Sequence, residues 1–227
     1  MRKCIGLLLV APLLLALPAA AAAQETDQTW ATFITEEQWQ MVNELPGVDR
    51  QIVSRDIGKL NLSVGIIHRG STRQQAGRGG GGGGGGAPPE IPPDMRCGVT
   101  SDQGRPSNAS GIMHMHQTET YLVVSGSGTL VTGGEIMNGR TVSEDSPVTT
   151  TLNGPSCSGA IVGDWVSKHV KEGDIIIMPA GTPHGWLDVP VHVDYLSVRP
   201  DPDRVLPDDY INPALGDDFQ MRTPQEN

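Results

Sequence analysis

From Gly111 to Val198 the chain is cut into apolar runs too short for helices, each closed by glycine or proline. The runs are Thr120–Val124, Thr129–Thr132, Ala160–Val162, Asp174–Met178 and Val191–Val198. Between them stand Ser125-Gly126-Ser127-Gly128, Thr132-Gly133-Gly134, Asn153-Gly154-Pro155 and Pro179-Ala180-Gly181, which read as turns. A helix needs roughly ten or more residues of 3.6-residue periodicity, whereas a buried strand needs only about four to eight. Many short strands with Gly/Pro punctuation indicate a sandwich or barrel. The expected fold class is therefore all-β.

The N-terminal part adds one helix and two strands. Thr35-Glu36-Glu37-Gln38 has the form of a capping box, and Trp39, Met41, Val42 and Leu45 follow at rough helical spacing. This predicts a short helix from about Glu36 to Glu44, ended by Pro46-Gly47. Arg50–Ile57 and Leu60–His68 read as strands, the second alternating Leu62, Val64 and Ile66 against Ser63 and Gly65. The stretch at about 70–93 then breaks the pattern, with eight consecutive glycines from Gly79 to Gly86. Such a run can neither bury apolar surface nor restrict the backbone, and reads as a disordered loop. A phosphate-cradling loop is the alternative, but the Lys-Ser/Thr of a P-loop is missing. Residues 24–59 hold too few apolar side chains for a core of their own. The glycine-rich segment is thus expected to be an insertion within one barrel spanning 60–200, followed by a proline- and acid-rich tail, 201–227, along the surface.

Met1-Arg2-Lys3, the apolar run Ile5–Leu17 and Ala21-Ala22-Ala23 form the three regions of a secretory signal peptide, with cleavage after residue 23. An uncleaved anchor helix is the alternative reading. Cleavage implies a periplasmic or secreted protein with no membrane attachment afterwards, since no later segment approaches the ~20 apolar residues a span needs. The net charge of −10 becomes −12 once Arg2 and Lys3 are removed. A chain so acidic, without a Lys/Arg cluster, repels phosphate backbones, which argues against a nucleic-acid partner. Cys4 leaves with the signal peptide. Cys97 and Cys157 remain for an oxidising compartment and are expected to pair, the alternative being two free thiols.

The chemistry is concentrated in two places. His114 and His116 have the i, i+2 spacing that puts two imidazoles on one face of a strand. Glu119 has the opposite parity to His116 and can join them only if the strand breaks at Gln117-Thr118. Downstream, Gly173 is followed by Asp174-Ile175-Ile176-Ile177-Met178 and then Pro179-Ala180-Gly181-Thr182-Pro183-His184. A strand delivers the chain to a rigid turn, and the turn presents one histidine. Rigid placement suits a metal ligand, because ligand distances tolerate only a few tenths of an ångström.

These two segments resemble the paired motifs of the cupin superfamily, G-x5-HxH-x(3,4)-E-x6-G and G-x5-PxG-x2-H-x3-N. The second runs from Gly173 to His184, with Asp188 where the family usually has Asn; the first runs from His114 to Gly126. Two residues, not three or four, separate His116 from Glu119, and Gly111 stands nearer than the usual upstream glycine. The short spacing, with Val123-Val124-Ser125-Gly126 after it, is similar to the cupin domain of bacterial mannose-phosphate isomerases; no activity is carried over from them. The resemblance implies a single double-stranded β-helix (jelly-roll) barrel with a short N-terminal helix, and often a homodimer. It implies one divalent metal, Mn, Fe, Ni, Zn or Cu, held by His114, His116, Glu119 and His184. Tyr121 shares parity with Glu119, and Trp186 with His184, so both are candidates to line the pocket mouth, ordinary core packing being the alternative. His68, His169 and His192 have no partner at ligand spacing. A metal with open positions suits an oxygenase, isomerase, decarboxylase or lyase acting on a sugar, organic acid or phenol. A non-catalytic small-molecule or metal-binding module is the other reading, because no further acid–base pair stands out and one fold hosts many chemistries.

Overall fold

The computed structural model describes residues 31–72, 90–100, 104–216 and 219. The signal segment and nearly all of the glycine-rich stretch lie outside them. Among the described residues no helix is long and apolar enough to cross a membrane. The elements are α1 (Glu36–Asn43), β1 (Asp49–Asp56), β2 (Asn61–Gly70), β3 (Arg96–Cys97), β4 (Pro106–His114), β5 (Glu119–Thr141), β6 (Ser156–Lys171), β7 (Ile175–Met178), β8 (His184–Asp188) and β9 (His192–Asp201). The expected all-β barrel with one short N-terminal helix is what the chain forms.

α1 starts where the capping box places it. The Thr35 side chain accepts from the Gln38 backbone N–H, and the Gln38 side chain accepts in return from the Thr35 N–H. Its Val42 is fully buried with Ile52 and Ile66 on one face of the sheet. Burial of that size contributes about 1.5–3 kcal/mol.

The strands run antiparallel in the order β1-β2-β9-β5-β6-β4-β8. Strand β8 pairs with β4 and also with β5, so β5, β6, β4 and β8 close on themselves. The interior of the barrel is packed by Ile67, Tyr121, Val123, Leu130, Val193 and Tyr195, among others.

Two of the expected turns are absent. Ser125–Gly128 and Thr132–Gly134 lie inside β5, which crosses from one sheet to the other in a single 23-residue strand. Its register shifts between Val123 and Ser125, and again between Gly133 and Glu135. At the first shift Gly126 has φ +71°, and a Cβ there would meet the His192 carbonyl oxygen at 2.1 Å. Glycine here marks a bulge that bends a strand without ending it.

The tail also differs from expectation. Leu206, Leu215 and Phe219 are buried, the last two packed with Ile52 and Ile66. Asp201 holds the turn through the backbone N–H groups of Val205 and Leu206. The tail is acidic in composition, yet its few apolar residues complete the second core.

Cys97 and Cys157 are bonded, tying β3 to β6 across 60 residues of sequence. Closing a loop of that length restricts the unfolded chain, so Cys157→Ser is expected to destabilise by about 2–4 kcal/mol. Denaturant unfolding with and without reductant checks this: a variant as stable as the oxidised parent would contradict it.

Candidate metal centre

His114 closes β4 with its side chain turned inward and only 3% exposed. Its Nδ1 lies 2.8 Å from Ser156 Oγ, and that hydroxyl donates its own hydrogen to the Gly154 carbonyl at 2.9 Å. Ser156 can then accept from Nδ1 of His114, and in that tautomer Nε2 presents a lone pair. His184 opens β8 directly after the Pro179–Pro183 turn. That turn is fastened to β4 by the Gly181 N–H, which donates to the His114 carbonyl at 2.8 Å. Nδ1 of His184 donates to the Thr182 carbonyl at 3.0 Å, which again leaves Nε2 as a lone pair. Both rings show the arrangement seen in metal-binding histidines, the far nitrogen tied down and the near one bare.

Between the two rings stands Glu119, the first residue of β5 and 1% exposed. Its Oε1 accepts from Ser197 Oγ and Arg199 Nε, both at 2.9 Å. Its Oε2 accepts from the Tyr121 hydroxyl at 2.9 Å. The same Oε2 is 3.1 Å from His184 Nε2 and 3.3 Å from His114 Nε2. Burial works to raise the Glu119 carboxyl, but the histidine contacts and the Arg199 charge hold it well below the usual carboxylate range. Arg199 is fully buried and also binds Asp49 Oδ2 at 2.6 Å, Gln51 Oε1 at 3.2 Å and the Leu152 carbonyl at 3.1 Å. One buried cation thus faces two carboxylates, which leaves the region one negative charge in excess.

In that tautomer Oε2 of Glu119 and the two Nε2 atoms converge on one point as acceptors. Either a proton or a metal cation has to join them. Burial disfavours the imidazolium of His114 and lowers its pKa, which argues against the proton. Nε2 of His184 is buried with no hydrogen-bond partner. An ion with ~2.1 Å bonds brings adjacent ligand atoms roughly 3 Å apart, the separation seen here. His114, Glu119 and His184 are the group among the described residues whose ligand atoms, all within 4.8 Å of one another, could hold an ion.

His116 stands apart from this group. β4 ends at His114, so the alternation that would carry His116 to the same face stops two residues short of it. The His116 ring is 42% exposed, with Nδ1 2.7 Å from Asp203 Oδ2. The inward neighbour of His114 is instead Ile112, two residues back and paired across the sheet with His184. Counted back from Glu119 with four residues between, His114 takes the place of the second histidine of the motif, and Ile112 that of the first. That register removes the two-residue anomaly.

Beside His184 lies a cavity of about 690 Å³ whose walls also include Ile112, Tyr121, Trp186, Tyr195 and Arg69, while His114 and Glu119 sit behind its lining. Tyr121 and Trp186 therefore stand where parity puts them, and the Trp186 indole N–H donates to the Tyr195 hydroxyl at 3.3 Å. The remaining histidines have other occupations. His68 bonds Asp194 and stacks near His192, His192 bonds Ser125, and His169 is exposed. Arg199, Ser197, Ser156 and Arg69 were not singled out by any motif. The one signal for two of them is alternation, since Tyr195, Ser197 and Arg199 share a face of β9.

No family profile and no characterised relative matches the chain. Similar solved structures include a Bacillus halodurans protein, with TM-score 0.37 and 13% identity, covering 82% of this chain and 92% of that one. A Klebsiella pneumoniae protein with a double-stranded β-helix domain has TM-score 0.35 and 16% identity over 77% of this chain and 93% of that one. Oxalate oxidase in complex with glycolate has TM-score 0.31 and 13% identity over 70% of this chain and 54% of that one. Values this low leave the chemistry to be argued from the chain's own residues.

Proposed function

We propose that this chain binds one divalent metal through His114, Glu119 and His184 and uses it to hold a small oxygenated molecule, a sugar, organic acid or phenol, for reaction. The observation that carries the reading is the meeting of three buried ligand atoms within 4.8 Å of one another, each side chain oriented by a partner at its far atom. Three protein ligands leave two or three open positions, where the bound ion would act as Lewis acid or redox centre. Ser156 and the Thr182 carbonyl fix the two ring tautomers. Arg199 and Ser197 occupy Oε1 of Glu119 and so direct Oε2 toward the rings. The Tyr121 hydroxyl is held strongly protonated by burial and by the Glu119 charge, so it serves as a donor rather than a base.

Two further calls belong to the same proposal. Export fits the disulfide, which persists in oxidising compartments. The homodimer implied by the resemblance is supported by Leu122, Ile175 and Ile177, apolar side chains left exposed on neighbouring strands β5 and β7. A monomer in sedimentation equilibrium would contradict it.

The chemistry is tested on cobalt-substituted protein. Small oxygen-bearing molecules such as glycolate, catechol and glucose are expected to shift the visible Co(II) spectrum saturably for at least one class. A spectrum indifferent to every class would contradict the proposal, and saturable binding without turnover would assign the chain to the non-catalytic module.

A further inference from the structure

Arg69 lies on β2 opposite Val193, on the same inward face as Ile67, and its side chain reaches the wall of the cavity. Its Nε is buried and has no hydrogen-bond partner. The Tyr195 hydroxyl, neutral at physiological pH, contacts the guanidinium, and the Asp49 carboxylate favours its charge without forming an ion pair with it. Among the described residues no ion pair engages Arg69, whereas Arg199 holds two carboxylates. A guanidinium cannot shed its proton, so it keeps its charge in this setting. Leaving a charge largely out of water without a counter-ion is costly unless something else satisfies it.

The rest of the cavity says what that something resembles. Tyr121 and Tyr195 stand with ring centroids 4.2 Å apart, and Trp186 and Tyr195 5.6 Å apart, forming a continuous aromatic wall. His184, one of the three ligands, opens onto the same space. A planar fork of donors matches a carboxylate in shape and charge, and an aromatic wall favours a flat apolar body. In a chain with net charge −10 such a local cation is unusual, since the overall field repels anions.

We infer that Arg69 is the anion anchor of the cavity and that the ligand is a small ring-bearing carboxylate, bound by Arg69 at its acid group with its ring against Tyr121, Tyr195 and Trp186. This deepens the metal-site reading by naming a ligand class and rests on it only for the ligand's other end.

The test uses zinc-loaded mature protein, with benzoate as probe and uncharged benzamide as its isostere, read by thermal shift and calorimetry. Benzoate is expected to bind saturably and to raise the melting temperature with concentration, as a ligand of the folded state must; benzamide is expected to bind at least tenfold more weakly. Arg69→Gln is expected to weaken benzoate about 10- to 100-fold, the loss of a charge-assisted contact, with Arg69→Lys intermediate. Arg69→Met gives the same comparison should the Gln variant fail to fold. Equal benzoate affinity in parent and Arg69→Gln, or equal affinity of the parent for benzamide, overturns the inference. So does the absence of saturable binding of benzoate, salicylate and phenylacetate to the parent. Zinc content measured in parallel separates the two readings: Arg69-dependent benzoate binding by a protein that holds no zinc sustains this subsite and removes the metal.

Discussion

Arg199→Met is expected to destabilise the folded chain by about 3–5 kcal/mol, the range for a buried charge pair that loses one partner. Arg199 is fully buried and is the shared cation of Glu119 and Asp49. Removing it leaves Glu119 buried without its guanidinium and Asp49, 16% exposed, without its strongest partner, and water reaches only the second. Desolvation therefore dominates. Folded domains have only about 5–15 kcal/mol in hand, so the variant should keep a fraction of the parent's stability. Its melting temperature should fall by roughly 6–20 °C. Lys171→Met is the control, because the Lys171–Asp174 pair is exposed and 3.9 Å apart, and such pairs contribute ~0–1 kcal/mol. Urea unfolding of both variants decides the matter; equal losses would contradict the account. In whatever Arg199→Met remains folded, metal affinity should drop about 10- to 100-fold, as when a group orienting a ligand is lost.

His184→Ala and Glu119→Gln are expected to lower metal affinity by more than that 10- to 100-fold, while His116→Ala retains one ion per chain. The contrast is sharp because the sequence spacing treats His114 and His116 alike and the fold does not. His116 is half-exposed and paired with Asp203, so losing it removes a surface contact only. Metal content after dialysis against a weak chelator reads the difference. If His116→Ala loses metal as readily as His184→Ala, the four-ligand set read from the motif is restored and the three-residue centre is wrong.

The parts of this protein legible in its sequence are those set by local chemistry. The capping box at Thr35 and Gln38 places a helix start because both of its hydrogen bonds span three residues. The Pro179–Pro183 turn and His184 are legible for the same reason, since proline and glycine set backbone angles wherever they stand. The strand rhythm yields the all-β class but not the strand lengths. Gly126 and Gly133 look like turn residues, and only the partner strands decide that they are bulges inside β5. His116 parts from His114 for one reason: the i, i+2 rule holds while a strand lasts, and β4 stops at His114. Arg199 was illegible because its partners are remote, Glu119 and Asp49 lying 80 and 150 residues away. The anchoring of the tail by Leu206, Leu215 and Phe219 was missed because its acidic composition hides three well-placed apolar residues.

The central claim is a metal held by His114, Glu119 and His184, and anomalous X-ray diffraction from crystals of metal-loaded mature protein tests it most directly. One anomalous peak is expected about 2.0–2.2 Å from Nε2 of His114, Nε2 of His184 and Oε2 of Glu119, with His116 still bonded to Asp203. A peak that includes His116, or no peak at these three atoms in fully loaded protein, would contradict it.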